Sequence, residues 1–351
     1  MHLGTDNFLC PDLFAHEKKM ASSDVEKYLG DVISRDCSNT ANLSAKSAKG
    51  MGKISQIMNV LNDVSLGVHY FEIAVALREA IFINGIMTNV ETLYGLTKEN
   101  IEILEDVDKV LLRKILSAHS KCPSEALYLE LGILPISYII KGRRLMFLYD
   151  ILSRNENELL SKFFQAQCLN PIRDDWCNTV KDDLKSLNIN MTFDNIQKIS
   201  KYSFKKLVKS KIRELAFCDL ISKIKNNDHS KLKNITYNEL KMQPYLKSSL
   251  VSTNQAKQLF RFRTRMSNVK CNFKSKYSKE GLLCPLPGCL EIEDDKHLLN
   301  CNIADSARQD IKMDFMKLYS SNVKEQIILI GLLVSGENLR DSLIEDLRQK
   351  D

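Results

Sequence analysis

Near Thr40 the spacing of apolar residues changes, and that change constrains the fold more than any other feature of the sequence. Before it, segments such as MHLG, DLFAHEKKM and KYLGDVIS are short, partly alternating and punctuated by Gly4, Asn7, Pro11 and Gly30, the pattern of strands and turns. Strands this few cannot bury a face alone, so the segment reads as the end of something larger. After it, Ile54, Ile57, Met58, Leu61 and Val64 share one helical face, and Phe71, Val75, Leu77, Ile81 and Ile86 continue through a second helix. A third follows Thr97, which can cap it, with Ile101, Leu104, Val107, Leu111, Leu112 and Ile115 as its stripe. Pro123 and Pro135 break the chain, KGRRLMFLYDILSR opens another helix, and Pro171 begins the next. No repeat of fixed period is present, which argues against a solenoid. The expected fold class is mainly α with a small N-terminal β part.

Charge is unevenly placed. From Lys198 to Lys279 there are 21 Lys/Arg against four acids, a net of +17 in a chain of net +6, which leaves −11 for the rest. Such a segment suits a polyanion such as RNA or DNA, and a set of solvated lysine-rich helix faces is the plain alternative. Within it, Leu259, Phe262, Met266, Val269 and Phe273 recur at spacings of 3 and 4, predicting a helix over 255–273 with Arg261 and Arg265 on its flank. Arg263 lies closer to the apolar stripe, where it can pair with an acid or snorkel. The longest apolar run, Ile327 to Val334, is too short to span a bilayer, and MHLGTDNFL has no signal-peptide pattern. The expectation is a cytoplasmic or nuclear chain, neither secreted nor membrane-bound, whose ten cysteines are reduced thiols.

Residues 284–301 read CPLPGCLEIEDDKHLLNC, with Cys284, Cys289, His297 and Cys301 spaced C-x4-C-x7-H-x3-C. Pro285, Pro287 and Gly288 turn the chain between the first two sulfurs. Asp294 and Asp295 can cap a short helix carrying His297 and Cys301 one turn apart. Three thiolates and an imidazole leave no open position, so the expectation is a structural Zn2+ and not a catalytic one. Three buried thiols beside a core histidine are the alternative. No Gly-rich phosphate loop, G-x-S-x-G or H-E-x-x-H motif is present, and nothing points to a small-molecule substrate. The acidic pairs Asp174–Asp175, Asp182–Asp183 and Asp294–Asp295 read as helix caps and solvated helix surface, His69 and His119 as residues near helix ends, and Trp176 as a core anchor.

Several blocks together resemble a known family. KYLGDVIS at 27–34, KGMGKISQIMNVL at 49–61, YFEIAVALREAIFINGIMTNVETLYGLT at 70–97, CPSEALYLELGILPISYIIKGRRLMFLYDIL at 122–152, LFRFRTRM at 259–266 and the Cys-Cys-His-Cys segment occur in this order. In that order they resemble the C-terminal part of a non-LTR (LINE-type) retrotransposon reverse transcriptase, beginning after the catalytic palm motif. The resemblance implies that MHLG corresponds to the end of a palm strand and Lys27, Tyr28, Leu29 and Gly30 to the primer-grip hairpin. It further implies a helical thumb, then a C-terminal region that holds template RNA and primer DNA during target-primed reverse transcription. On this reading 1–36 is the palm end and hairpin, 37–190 the thumb and its extension, 191–279 the basic nucleic-acid-binding region, 280–303 the zinc knuckle and 304–351 a helical tail. Candidate nucleic-acid contacts are Lys27, Tyr28, Leu29, Gly30, Arg143, Arg144, Arg261, Arg263 and Arg265.

The departure from the family matters as much. Its Tyr/Phe-x-Asp-Asp motif is missing, and no Asp-Asp here has an aromatic residue two positions before it. Polymerases need paired carboxylates to hold two Mg2+ ions. The expectation is therefore a chain with no catalytic residues, Mg2+ belonging only to the full-length parent. A zinc-containing DNA-binding regulator with a helical interaction domain, and a polymerase subunit that borrows a partner's palm, are the alternatives.

Overall fold

The computed structural model describes residues 14–15, 18–19, 24–28, 30–63, 67–170, 175–227, 232, 235–248, 251–264, 266, 271, 278, 280–293 and 297. They are mainly helical, with small antiparallel pairings near the N-terminus. MHLG, the helix proposed to begin at Pro171 in its first four residues, and the tail after Cys301 lie outside the described residues. The chain divides into two compact units that interleave along the sequence: Met1–Ser65, Ile73–Leu111 and Leu134–Asp219 form the first, and Leu66–Glu72, Leu112–Ile133 and Leu220–Asp351 the second.

In the first unit, β1 (Phe14–Ala15) pairs with β2 (Lys18–Lys19), and β3 (Val25–Tyr28) with β4 (Asp31–Ser34). The register Tyr28↔Asp31 leaves a two-residue turn that includes Gly30 at φ +92°, a conformation glycine adopts without a Cβ penalty. Helix α1 (Thr40–Asp63) buries Leu43, Ile54, Ile57 and Leu61. At Gly50 an added Cβ would stand 3.1–3.2 Å from Val107, Ile86 and Phe82, so the missing side chain lets these elements close on α1.

The second predicted helix is not a regular one. α2 (Tyr70–Leu77) passes into a π turn over Arg78–Ile83 and then α3 (Asn84–Ile86). The buried set becomes Phe71, Ala74, Arg78, Phe82, Ile83 and Ile86, while Val75, Leu77 and Ile81 are only half-buried. The wider turn turns Arg78 inward. Its Nε and Nη2 donate to Asp108 at 2.7 and 2.6 Å, and Nη2 also donates to the Leu134 carbonyl at 3.1 Å. Pairing and hydrogen bonds of this kind are what make a fully buried guanidinium tolerable.

Asp108 belongs to α4 (Lys98–Leu116), where the Thr97 hydroxyl accepts from the Asn100 amide as expected of a cap. α6 (Ile136–Leu152) starts at Pro135, one turn earlier than KGRRLMFLYDILSR suggested, and α7 (Leu159–Leu169) was not anticipated. α8 (Trp176–Ser186) is capped by Asp175, which accepts from the Asn178 amide at 2.7 Å. Trp176 is a core anchor: it packs edge-on to Phe147 and Phe164, and its indole N–H donates to the Glu91 carbonyl. Asp183 departs from expectation. It is buried, not solvated, because Arg144 needs a partner there, at 2.6 Å. After α9 (Phe193–Lys198), α10 (Lys201–Asn226) buries Phe204, Val208, Ile212 and Ala216 in this unit.

The second unit contains the C-terminal ends of α4 and α10, with α5 (Ser124–Leu131) and α11 (Thr253–Arg263). Between α10 and α11 the described residues are irregular apart from a short 3-10 turn at Pro244–Leu246. α11 stops at Arg263, with Thr264 as its C-cap, and not at 273. Its buried face is Ala256, Phe260 and Arg263, while Leu259 and Phe262 are half-exposed. The reason is Glu130, fully buried in α5. It accepts from Tyr237 (2.7 Å), Tyr245 (2.8 Å) and Arg263 (3.1 Å), and this demand rotates the arginine side of α11 inward. Val269 and Phe273 lie outside the described residues.

Candidate metal centre and basic surface

The described part of the Cys/His segment is a short turn in the second unit, closed by main-chain hydrogen bonds. Leu283 and Ile292 form an antiparallel bridge, the Cys284 amide donates to the Glu291 carbonyl at 2.8 Å, and the Glu293 amide to that of Leu282 at 2.9 Å. Inside this clasp the chain reverses through Pro285, Leu286, Pro287 and Gly288, and the Cys289 amide returns to the Leu286 carbonyl at 3.1 Å. Gly288 sits at φ +83°, so the glycine in the motif meets a backbone requirement.

The clasp aims three donors at one point. A sulfur of Cys284, a sulfur of Cys289 and a ring nitrogen of His297 all lie within 4.8 Å of one another. Cys289 Sγ is 3.3 Å from His297 Nε2. Tetrahedral Zn2+ with Zn–S near 2.3 Å and Zn–N near 2.0 Å spaces its ligands roughly 3.5–3.8 Å apart, which this set fits with small shifts. His297 is buried, and its other nitrogen, Nδ1, lies 2.7 Å from Glu291 Oε2. A carboxylate on Nδ1 fixes the ring and leaves Nε2 for a metal. Sequence reading did not single out Glu291, although its place two residues after Cys289 is where a hairpin returns. Cys301, Asp294 and Asp295 lie outside the described residues.

The nucleic-acid candidates are placed unevenly. Lys27 and Tyr28 are exposed on β3, Tyr28 by 65%, and Gly30 turns the hairpin; Leu29 and Arg265 lie outside the described residues. The hairpin is held by Asp31, which accepts from Lys46 and Asn89, each at 2.6 Å. The arginines are occupied within the fold. Arg143 donates to the Met87 carbonyl and to Asn84, Arg144 is buried against Asp183, and Arg261 donates to the Ser117 carbonyl at 2.7 Å. Burial pushes the Asp183 carboxyl up, against the opposing pull of Arg144 and Lys141.

Arg263 pairs with Glu130, one of the two arrangements that its position beside the apolar stripe allowed. Burial alone would lower the Arg263 guanidinium, but the adjacent carboxylate outweighs it and holds the group raised. Burial, then the Glu130 charge, pushes Tyr237 and Tyr245 well above the usual phenol range, so both stay protonated donors. A carboxylate inside SEALYLEL carries no local signal of its role, since its partners are more than 100 residues away.

Among the described residues no helix is long and apolar enough to cross a membrane. Compared with protein-family models, curated proteins and solved structures, the chain shows no significant match.

Proposed function

We propose that this chain is a nucleic-acid-binding module of the kind found after the catalytic motif of LINE-type reverse transcriptases, and that it binds RNA and single-stranded DNA without polymerase activity of its own. The observation that carries the reading is the convergence of Cys284, Cys289 and His297 at the end of the +17 segment. Four positions after His297 the sequence supplies Cys301, so that a Cys3His set would hold zinc as a structural clamp. The clamp holds the end of a cation-rich segment in one geometry, so that lysines and arginines displace counterions from a strand together.

The test uses the full chain. Elemental analysis is expected to give one zinc per chain. Cys289→Ser is expected to release it, with local melting, since structural zinc contributes on the order of 10–16 kcal/mol in small peptides. RNA binding is expected to weaken steeply with salt, and primer extension with Mg2+ to stay at background. A metal-free chain that binds no nucleic acid overturns the reading, as does primer extension abolished by changes within residues 1–34.

A further inference from the structure

In its N-terminal part, helix α10 presents a face that its packing there does not use. Phe204, Val208 and Ile212 recur every fourth residue and are buried. Tyr202, Lys205, Lys206 and Lys209 stand apart from that stripe; at 100° per residue they fall within an arc of about 100°. All four are exposed, and Tyr202 leaves 76% of its surface in water.

The ion pairs single out the same face. Lys201 meets Asp150 at 2.5 Å, and Lys211 meets Glu214 at 2.9 Å. Lys205, Lys206 and Lys209 have no carboxylate partner among the described residues. Three uncompensated ammoniums over about 6 Å of helix axis repel one another, and a polyanion relieves that repulsion. Tyr202 supplies what a bare cation row lacks. An exposed ring can stack on a base only where the base is unpaired.

We infer that Tyr202, Lys205, Lys206 and Lys209 form a track for single-stranded nucleic acid, the lysines contacting phosphates and Tyr202 stacking on a base. The inference rests on the nucleic-acid reading above and moves its contacts from the occupied arginines to α10. An anionic membrane is the weaker occupant, because an interfacial helix inserts a broad apolar face, and that of α10 is already buried in the protein.

The experiment measures anisotropy of labelled oligouridylate and oligothymidylate of about 20 nucleotides, longer than the ~4–16-nucleotide footprint of one binding module. A duplex of similar length and vesicles of phosphatidylserine and phosphatidylcholine are run beside them. Tyr202→Ala is expected to weaken single-strand binding by about 5- to 150-fold and to leave duplex binding unchanged. Tyr202→Phe keeps the ring and is expected to keep the affinity. Joint replacement of Lys205, Lys206 and Lys209 by Gln is expected to flatten the log–log salt slope by about 2, at roughly 0.7 per contact. All four side chains are exposed, so circular dichroism of each variant is expected to match wild type.

Folded variants with unchanged single-strand affinity and slope overturn the track while the nucleic-acid reading stands on other residues. Equal loss on duplex for Tyr202→Ala overturns the stacking role, and vesicle binding that depends on these four residues overturns the choice of partner. A wild-type chain that binds no nucleic acid overturns both readings.

Discussion

Asp31 shows what one carboxylate can hold. Burial by itself pushes it up, but the hydrogen bonds from Lys46 and Asn89 outweigh burial and keep it below the ordinary value of 3.8. A carboxyl lowered in the folded state binds its proton less readily than in the unfolded chain. Its stabilisation is therefore complete above the unfolded value and is lost as pH falls through the folded one. Asp31→Asn is expected to cost about 1–3 kcal/mol at neutral pH, since Lys46 loses its charged partner. Urea midpoints at pH 7, 5 and 3 check this. Wild type should lose more stability between pH 5 and 3 than the variant does. At this scale the sequence was only partly legible. It gives the charges of Arg144, Asp183 and Arg263 but not their neighbours, so Asp183 read as solvent-facing and Arg144 as a candidate nucleic-acid contact.

At the scale of elements, backbone geometry decides more than charge. α5 ends at Gly132 in the left-handed region, at φ +66°, and a Cβ there would lie 2.0 Å from the Met242 nitrogen and 2.1 Å from the Lys241 carbonyl carbon. Both neighbours are main chain and cannot swing aside. Gly132→Ala is expected to cost about 2–5 kcal/mol, combining the left-handed penalty with overpacking. Gly52 is the control: it sits inside α1 with nothing within 4 Å of an added Cβ, so Gly52→Ala is expected to gain about 0.5–1 kcal/mol. Thermal unfolding of the two variants beside wild type reads both signs. The α1 and α4 stripes and the Asp175 cap were legible because they obey local rules. The π turn at Arg78–Ile83 was not, because it answers to Asp108, thirty residues away. Likewise the arginine-bearing face of α11 answers to a carboxylate in α5. The grouping of Cys284, Cys289 and His297 was legible because the turn residues and these three side chains are close in sequence.

For the molecule as a whole, Glu130 does the most with the least sequence signal. Replacing it by Ala leaves Arg263 buried beside two phenols without its carboxylate. The expected loss is about 3–5 kcal/mol, a large part of the 5–15 kcal/mol typical of a domain. Chemical denaturation measures it, and Glu130→Gln, which keeps the shape but not the charge, should also be destabilised. The same residue imposes an order in time. Tyr237, Tyr245 and Arg263 follow it by 107, 115 and 133 positions. A ribosome adding roughly 5–20 residues per second exposes α5 on the order of ten seconds before the last partner emerges. Through that interval the carboxylate must stay hydrated, so the nascent second unit waits open until Arg263 has been made.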